Sequence, residues 1–404
     1  MVANCFFFPY INNTGTFADV LDNGIYKGRI ESMRLLPIAY CRPGMKLAKK
    51  IFSEDGLVLL GEQIELTARL ITRLEECGIQ YVYIADPRTD DINLPSLLSE
   101  NTMKHAIKEI RSTFREMANR PKLKKGVTYP YIAQPIKNLM NTIIDELSGH
   151  KDAMIMLMNM SSVDHYLFQH SLNVCVYTTL LGISHGYSRD ELATLGMGAL
   201  LHDIGKTQIK VDVLKKPGSL TQQEFEAIKQ HAKIGYELLK DEPNLPLLVA
   251  HCAFQHHERI DGSGYPRGIK GNEIHEYAKW IGLVDSYDAM TTNRVYSSPI
   301  LPHHAIERLY AGTGTLYEQS MLQLFRDKVA IYPIGISVKL QTGEQGVVAD
   351  INYPYPHRPI IRVLYDEAGE ELNAPYEIDL SQQLTKMIVS VNGDSSDIKQ
   401  PTGI

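Results

Sequence analysis

Residues 188–206 read SRDELATLGMGALLHDIGK, and this stretch decides the fold. Ser188 and Glu191 have the spacing of a capping box, in which the hydroxyl accepts from the backbone of Glu191 and the carboxylate reaches back. Behind the cap, Leu192, Leu195, Ala199 and His202 recur at steps of three and four residues, the period of one helical face. The spacing predicts a helix whose apolar stripe runs into an inward-facing His202–Asp203 pair. A buried carboxylate is costly without a counter-charge, so Asp203 calls for a cation.

Moving outward, the same arrangement repeats. Thr221 and Glu224 form a second capping box ahead of a helix that carries His231. His170 shares a stripe with Val174, Tyr177 and Leu181, and Asp285 shares one with Ile281, Val284 and Asp288. His256 and His257 stand in FQHHERIDGSGYP. Successive members lie 25 to 32 residues apart, one helix plus one loop, so five facing helices can deliver ligands to one centre. Taken singly, each has a simpler reading. A lone His on an apolar face is a core residue, a lone His-Asp pair is weak, and DGSG is ordinary turn chemistry. The conjunction carries the argument.

Five imidazoles and two carboxylates form a borderline-to-hard set that suits Fe, Mn or Zn rather than Ca or thiophilic metals. Seven ligands are too many for one tetrahedral ion and fit two ions sharing a carboxylate and a water. Such a pair orients and deprotonates the water and stabilises an in-line phosphoryl displacement.

Composition agrees with this class. The chain has 404 residues, 44% apolar and 22% charged, with a net charge of −6. That allows two or three domains and argues against a binder of nucleic-acid polymers. The five cysteines contain no CxxC pair, which fits a reducing compartment and argues against a thiolate zinc site. Cys175 and Cys252 read as core thiols, and the run MIMLMNM reads as packing. No apolar run reaches the length of a membrane span, and MVANCFFFPY lacks the basic region of a signal peptide. The expected location is cytoplasmic.

Residues 1–32 read as a disordered extension, and Met33, opening the first patterned segment, is a second candidate initiator. Residues 33–94 alternate short strands, Pro-Gly and Asp-Gly turns and one amphipathic helix, TARLITRLEECGI, which predicts a small α+β domain. Residues 95–159 read as connecting helices, 160–330 as the helical catalytic domain, 331–391 as β-rich, and 392–404 as a disordered tail. The fold class is mainly α, with an α+β unit before the bundle and a β-rich segment after it.

The motifs HDIGK (202–206), KPGSLT (216–221), HHERIDGSGYPRGIKG (256–271) and VDSYDAMTTNR (284–294) resemble those of the HD-GYP family, a branch of the HD-domain phosphohydrolases. The resemblance covers about residues 160–330 and implies an HD-type bundle that hydrolyses cyclic di-GMP to pGpG and on to GMP through a hydroxide bridging two metal ions, Fe or Mn first among them. It implies that His170, His202, Asp203 and Asp285 hold one ion, that His231, His256 and His257 hold the other, and that Asp203 bridges. Asp203 and Lys206 would be catalytic. Lys206 and Arg294 would contact phosphate, and Tyr265 would stack on guanine or shape the rim. A homodimer and GGDEF-type signalling partners are further implications. Two departures matter. Tyr166 stands where some members place a Glu that recruits a third ion, and Ser297 replaces the last base of the final motif. The set therefore implies two ions and the loss of one substrate contact. Two rival readings keep the site: an HD-type phosphohydrolase of another nucleotide, and a slow cyclic di-GMP receptor acting through protein partners.

Overall fold

The computed structural model describes residues 34–52, 58–77, 79, 81–89, 91–92, 97–119, 132–149, 166–214, 216, 218–292 and 300–391. The expected extension and tail, Arg294, Ser297 and the side chain of Tyr166 lie outside the described residues.

The N-terminal unit is built on two antiparallel strand pairs. Strand β1 (Arg34–Pro37) runs antiparallel to β4 (Tyr81–Ile84), and β2 (Ile51–Phe52) pairs with β3 (Val58–Leu60). Helix α1 (Ala68–Glu76) begins where Thr67 accepts a hydrogen bond from the Leu70 amide, as its sequence predicts. Leu47, Leu66, Leu74 and Val82 close this small core.

The bundle follows. Helices α2 (Glu100–Asn119) and α3 (Ala133–Ser148) pack into its core. Ile110, Ile136, Met140 and Ile143 belong to the same apolar cluster as Leu195, Leu200 and Ile281. Glu146 locks α3 to the start of α2 by accepting from the Ser99 amide, the Ser99 hydroxyl and the Thr102 hydroxyl.

Around this pair stand α4 (Tyr166–His185), α5 (Arg189–Leu201), α6 (Val211–Leu214), α7 (Gln222–Leu239), α8 (Leu247–Gln255), α9 (Glu276–Thr291), α10 (Pro302–Ala311) and α11 (Gln319–Lys328). Both capping boxes form, at Ser188–Glu191 and Thr221–Glu224. Helix α9 is buried nearly all round, with Ala278, Trp280, Ile281, Val284 and Tyr287 in the core, as befits a central helix. Among the described residues no helix is long and apolar enough to cross a membrane.

The C-terminal segment is a five-stranded antiparallel sheet ordered β8-β7-β6-β5-β9, from β5 (Ser337–Leu340), β6 (Gln345–Asp350), β7 (Ile360–Tyr365), β8 (Glu371–Asp379) and β9 (Ile388–Val391). It holds the N-terminal unit directly. The Leu35 amide donates to Gly335 O at 2.7 Å, and Leu35 is buried in the core of the C-terminal sheet. Arg362 on β7 pairs with Asp91, and Arg88 reaches Glu371 at 2.7 Å.

Candidate metal centre

The seven predicted ligands converge. Their potential ligand atoms fall into two groups, Asp203 with His231, His256 and His257, and His170 with His202 and Asp285, all atoms of a group within 4.8 Å of one another. Asp203 stands between them. Its Oδ2 lies 3.6 Å from His170 Nε2 and 3.4 Å from His202 Nε2. Its Oδ1 lies 3.4 Å from His231 Nε2 and 3.9 Å from His256 Nε2. Asp285 Oδ1 lies 3.1 Å from His170 Nε2, and its Oδ2 lies 3.9 Å from His257 Nδ1.

The ligands sit at two kinds of place. His170, His231 and Asp285 lie within α4, α7 and α9, whereas His202 caps α5 and His256 caps α8. The capping positions explain how adjacent residues serve one centre: the chain turns there, so Asp203 and His257 swing in beside His202 and His256.

Four rings are held by their outer nitrogens. His202 Nδ1 lies 2.6 Å from Ala199 O, His231 Nδ1 2.6 Å from Ile228 O, and His256 Nδ1 2.9 Å from Ala253 O. His170 Nδ1 lies 2.6 Å from Asp288 Oδ2, and Asp288 is fixed in turn by Asn173 Nδ2 at 2.8 Å. In each case a donating Nδ1–H leaves the Nε2 lone pair facing the centre, the tautomer that a metal needs. His202 Nε2 and Asp203 Oδ1 are fully buried without a hydrogen-bond partner. Such orphaned atoms are costly in a core, and a bound cation satisfies them. The donor set therefore fits metal ions.

Two glycines make the approach possible. A Cβ on Gly205 would run into the carbonyl oxygen of His231 and come within 2.6 Å of the Gly235 amide. A Cβ on Gly282 would run into the carbonyl oxygen of His256. The turn after Asp203 is thereby pressed onto α7, and α9 onto the end of α8.

Electrostatics follow from burial and crowding. Burial pulls His231 down to about 4 and takes His256 and His257 well below the usual imidazole range. Burial also pulls on His170, but hydrogen bonds to Asp285 and Asp288 win and push it up to about 10. Burial tends to raise Asp203, yet Lys206 and His202 hold it well below the carboxylate range. Asp285 is held low in the same way by His170.

Lys206 lies in the 3-10 turn Ile204–Gln208, with Nζ 2.6 Å from Asp203 Oδ2. Tyr265 stacks on His257, centroids 4.6 Å apart at 29°, and its amide donates to His257 O at 3.2 Å. Sequence reasoning assigned no role to Asp288, although its place three residues after Asp285 put it on the same face. It also passed over Glu258, a buried carboxylate that accepts from the Arg267 amide at 2.8 Å and the Ile269 amide at 3.2 Å and so shapes the Gly-rich loop. Its donors are backbone groups, which no side-chain pattern reveals.

Comparison with known proteins converges on the same region. The HD domain family matches residues 156–321, and a KOW domain associated with HD domain matches residues 337–399. Over 240 residues the chain is 34% identical to a cyclic di-GMP phosphodiesterase of Pseudomonas aeruginosa, covering 58% of each chain. It is 41% identical over 142 residues to a cyclic di-GMP phosphodiesterase of Thermotoga maritima, covering 35% of this chain and 38% of that one. It is 38% identical over 131 residues to a 3'3'-cGAMP-specific phosphodiesterase of Vibrio cholerae, covering 32% and 28%. The chain thus spans less than two thirds of the length of these relatives. The HDIGK and HHERIDGSGYP motifs, which bring their His and Asp residues to one buried cluster, lie inside the region that matches the HD domain family.

Proposed function

We propose that this protein is a two-metal phosphodiesterase that hydrolyses cyclic di-GMP, giving pGpG and then GMP. The observation that carries the reading is the position of Asp203, one oxygen toward each ligand group. His170, His202 and Asp285 would hold one ion; His231, His256 and His257 would hold the other; Asp203 would bridge. Fe and Mn suit this imidazole-rich set. When bound, two such ions supply an activated water and stabilise charge at the attacking and leaving oxygens of an in-line displacement.

The chain's own residues account for the rest. The carbonyl and carboxylate partners on Nδ1 keep four rings pre-oriented, so little reorganisation is needed at the reacting phosphorus. Lys206, beside the bridging carboxylate, is a point charge suited to a non-bridging phosphate oxygen, and Arg294 is proposed as the second phosphate contact. Tyr265, its hydroxyl kept protonated by burial and its ring stacked on His257, is proposed to shape the rim where a base enters. The catalytic unit is proposed to include α2 and α3, because they share its core.

Named relatives support cyclic di-GMP as substrate. The 3'3'-cGAMP-specific relative supports a second reading, in which a mixed cyclic dinucleotide is preferred. Anaerobic turnover of cyclic di-GMP, 3'3'-cGAMP, a dNTP and (p)ppGpp by the metal-replete chain, followed by chromatography, separates them. The expected result is the highest kcat/KM for cyclic di-GMP. Preference for a dNTP or (p)ppGpp would overturn the proposal.

A further inference from the structure

A line of side chains leads out of the metal centre. Tyr265 stacks on His257, Lys229 Nζ lies 5.6 Å from the Tyr265 ring centroid, and the same Nζ lies 4.7 Å from the ring centroid of Phe225. Phe225 and Lys229 are one helical turn apart on α7, and His231 follows two residues later. The ammonium is therefore held between two aromatic rings at the edge of the centre. Phe225 is 42% exposed, so a large apolar ring faces water beside the catalytic residues. Lys229 also meets the half-exposed Glu226 at 2.8 Å, a surface pair of small energetic weight.

We propose that Phe225 and Lys229 form the second-nucleotide subsite, in which Phe225 carries a guanine and Lys229 reads it. This rests on the diesterase reading above and adds which base is recognised and by which group. A cyclic dinucleotide with one phosphodiester at the metals must direct its other nucleotide toward the rim, where these two residues stand. An aromatic face accepts any base, since every base has a π-face. The ammonium is different: it can only donate. Guanine offers two adjacent acceptors, O6 and N7, whereas adenine pairs its N7 with an amino donor. Phe225 thus supplies affinity and Lys229 supplies preference for guanine.

The test uses the full, metal-replete chain with cyclic di-GMP, cyclic di-AMP and the base-free diester bis(p-nitrophenyl) phosphate. Lys229→Leu keeps the apolar stem and removes the donor. Its ratio of kcat/KM for cyclic di-GMP over cyclic di-AMP is expected to fall about tenfold, the discrimination one good base contact provides. Lys229→Arg is expected to hold most of the ratio. Phe225→Ala is expected to raise KM for both dinucleotides alike and leave the ratio in place. An unchanged ratio in Lys229→Leu, or an equal loss on both dinucleotides as a phosphate contact would give, overturns the proposal while the diesterase reading stands. A wild-type chain that cleaves bis(p-nitrophenyl) phosphate but neither dinucleotide overturns the substrate reading and the subsite with it.

Discussion

Asp288 shows how a residue outside the ligand set can govern one of its members. It accepts from the outer nitrogen of His170 and from Asn173, so it fixes both the tautomer and the angle of the ring. Asp288→Asn is expected to cost about 10- to 100-fold in kcat/KM or in affinity for one ion, the usual effect of losing an outer-shell partner; metal content and steady-state kinetics check it. The histidines also set a pH dependence for the metal-free protein. His231 sits at about 4 against an ordinary 6.5, because burial disfavours its charged form. Its folded value is below its unfolded one, so its stabilisation is complete above pH 6.5 and is lost as pH falls toward 4. His256 and His257 act in the same direction. His170, raised to about 10, acts oppositely: its share is present below 6.5 and is lost as pH rises through 10. Three against one, the metal-free Tm is expected to drop between pH 7 and pH 5, with a shallower slope in His231→Phe. A flat profile in the wild type would contradict the assignment.

At the scale of elements, the centre depends on how closely two helix ends, those of α5 and α8, approach the middles of α7 and α9. Gly205 allows the turn after Asp203 to touch the backbone of α7 at His231. Because its Cβ would meet backbone rather than a movable side chain, Gly205→Ala is expected to destabilise by about 3 kcal/mol, at the upper end of overpacking costs, and to weaken metal binding. Thermal melting and metal titration read both effects. The elements themselves were legible, since Ser188–Glu191 and Thr221–Glu224 mark the starts of α5 and α7 by local chemistry alone. The converging residues were legible for a related reason: His170, His202 and Asp285 each share an apolar stripe at helical spacing. Glu258 was not, because its partners are amides of a loop whose path only the folded chain defines. The role of Gly205 was not legible either, because the surface it presses against is 26 to 30 residues further along the chain.

Across the whole molecule, long-range contacts were the least visible in the sequence. Periodicity gives α2 and α3 as helices but does not say that their apolar faces complete the bundle core. Likewise the alternating strands at the two ends gave two separate β-containing units, whereas Leu35, Arg88 and Asp91 tie the first unit to the last sheet through Gly335, Glu371 and Arg362. The first unit and the last sheet thus form one assembly, while the bundle draws His170 and Asp285 together from 115 residues apart. Everything proposed for activity depends on that convergence holding two ions at once. Elemental analysis of anaerobically loaded wild-type and Asp203→Ala protein, with cyclic di-GMP turnover measured on the same samples, tests it most directly. The account expects two ions per wild-type chain with turnover, and an Asp203→Ala chain that has lost metal and produces no pGpG. Full turnover by a metal-loaded Asp203→Ala protein would contradict it.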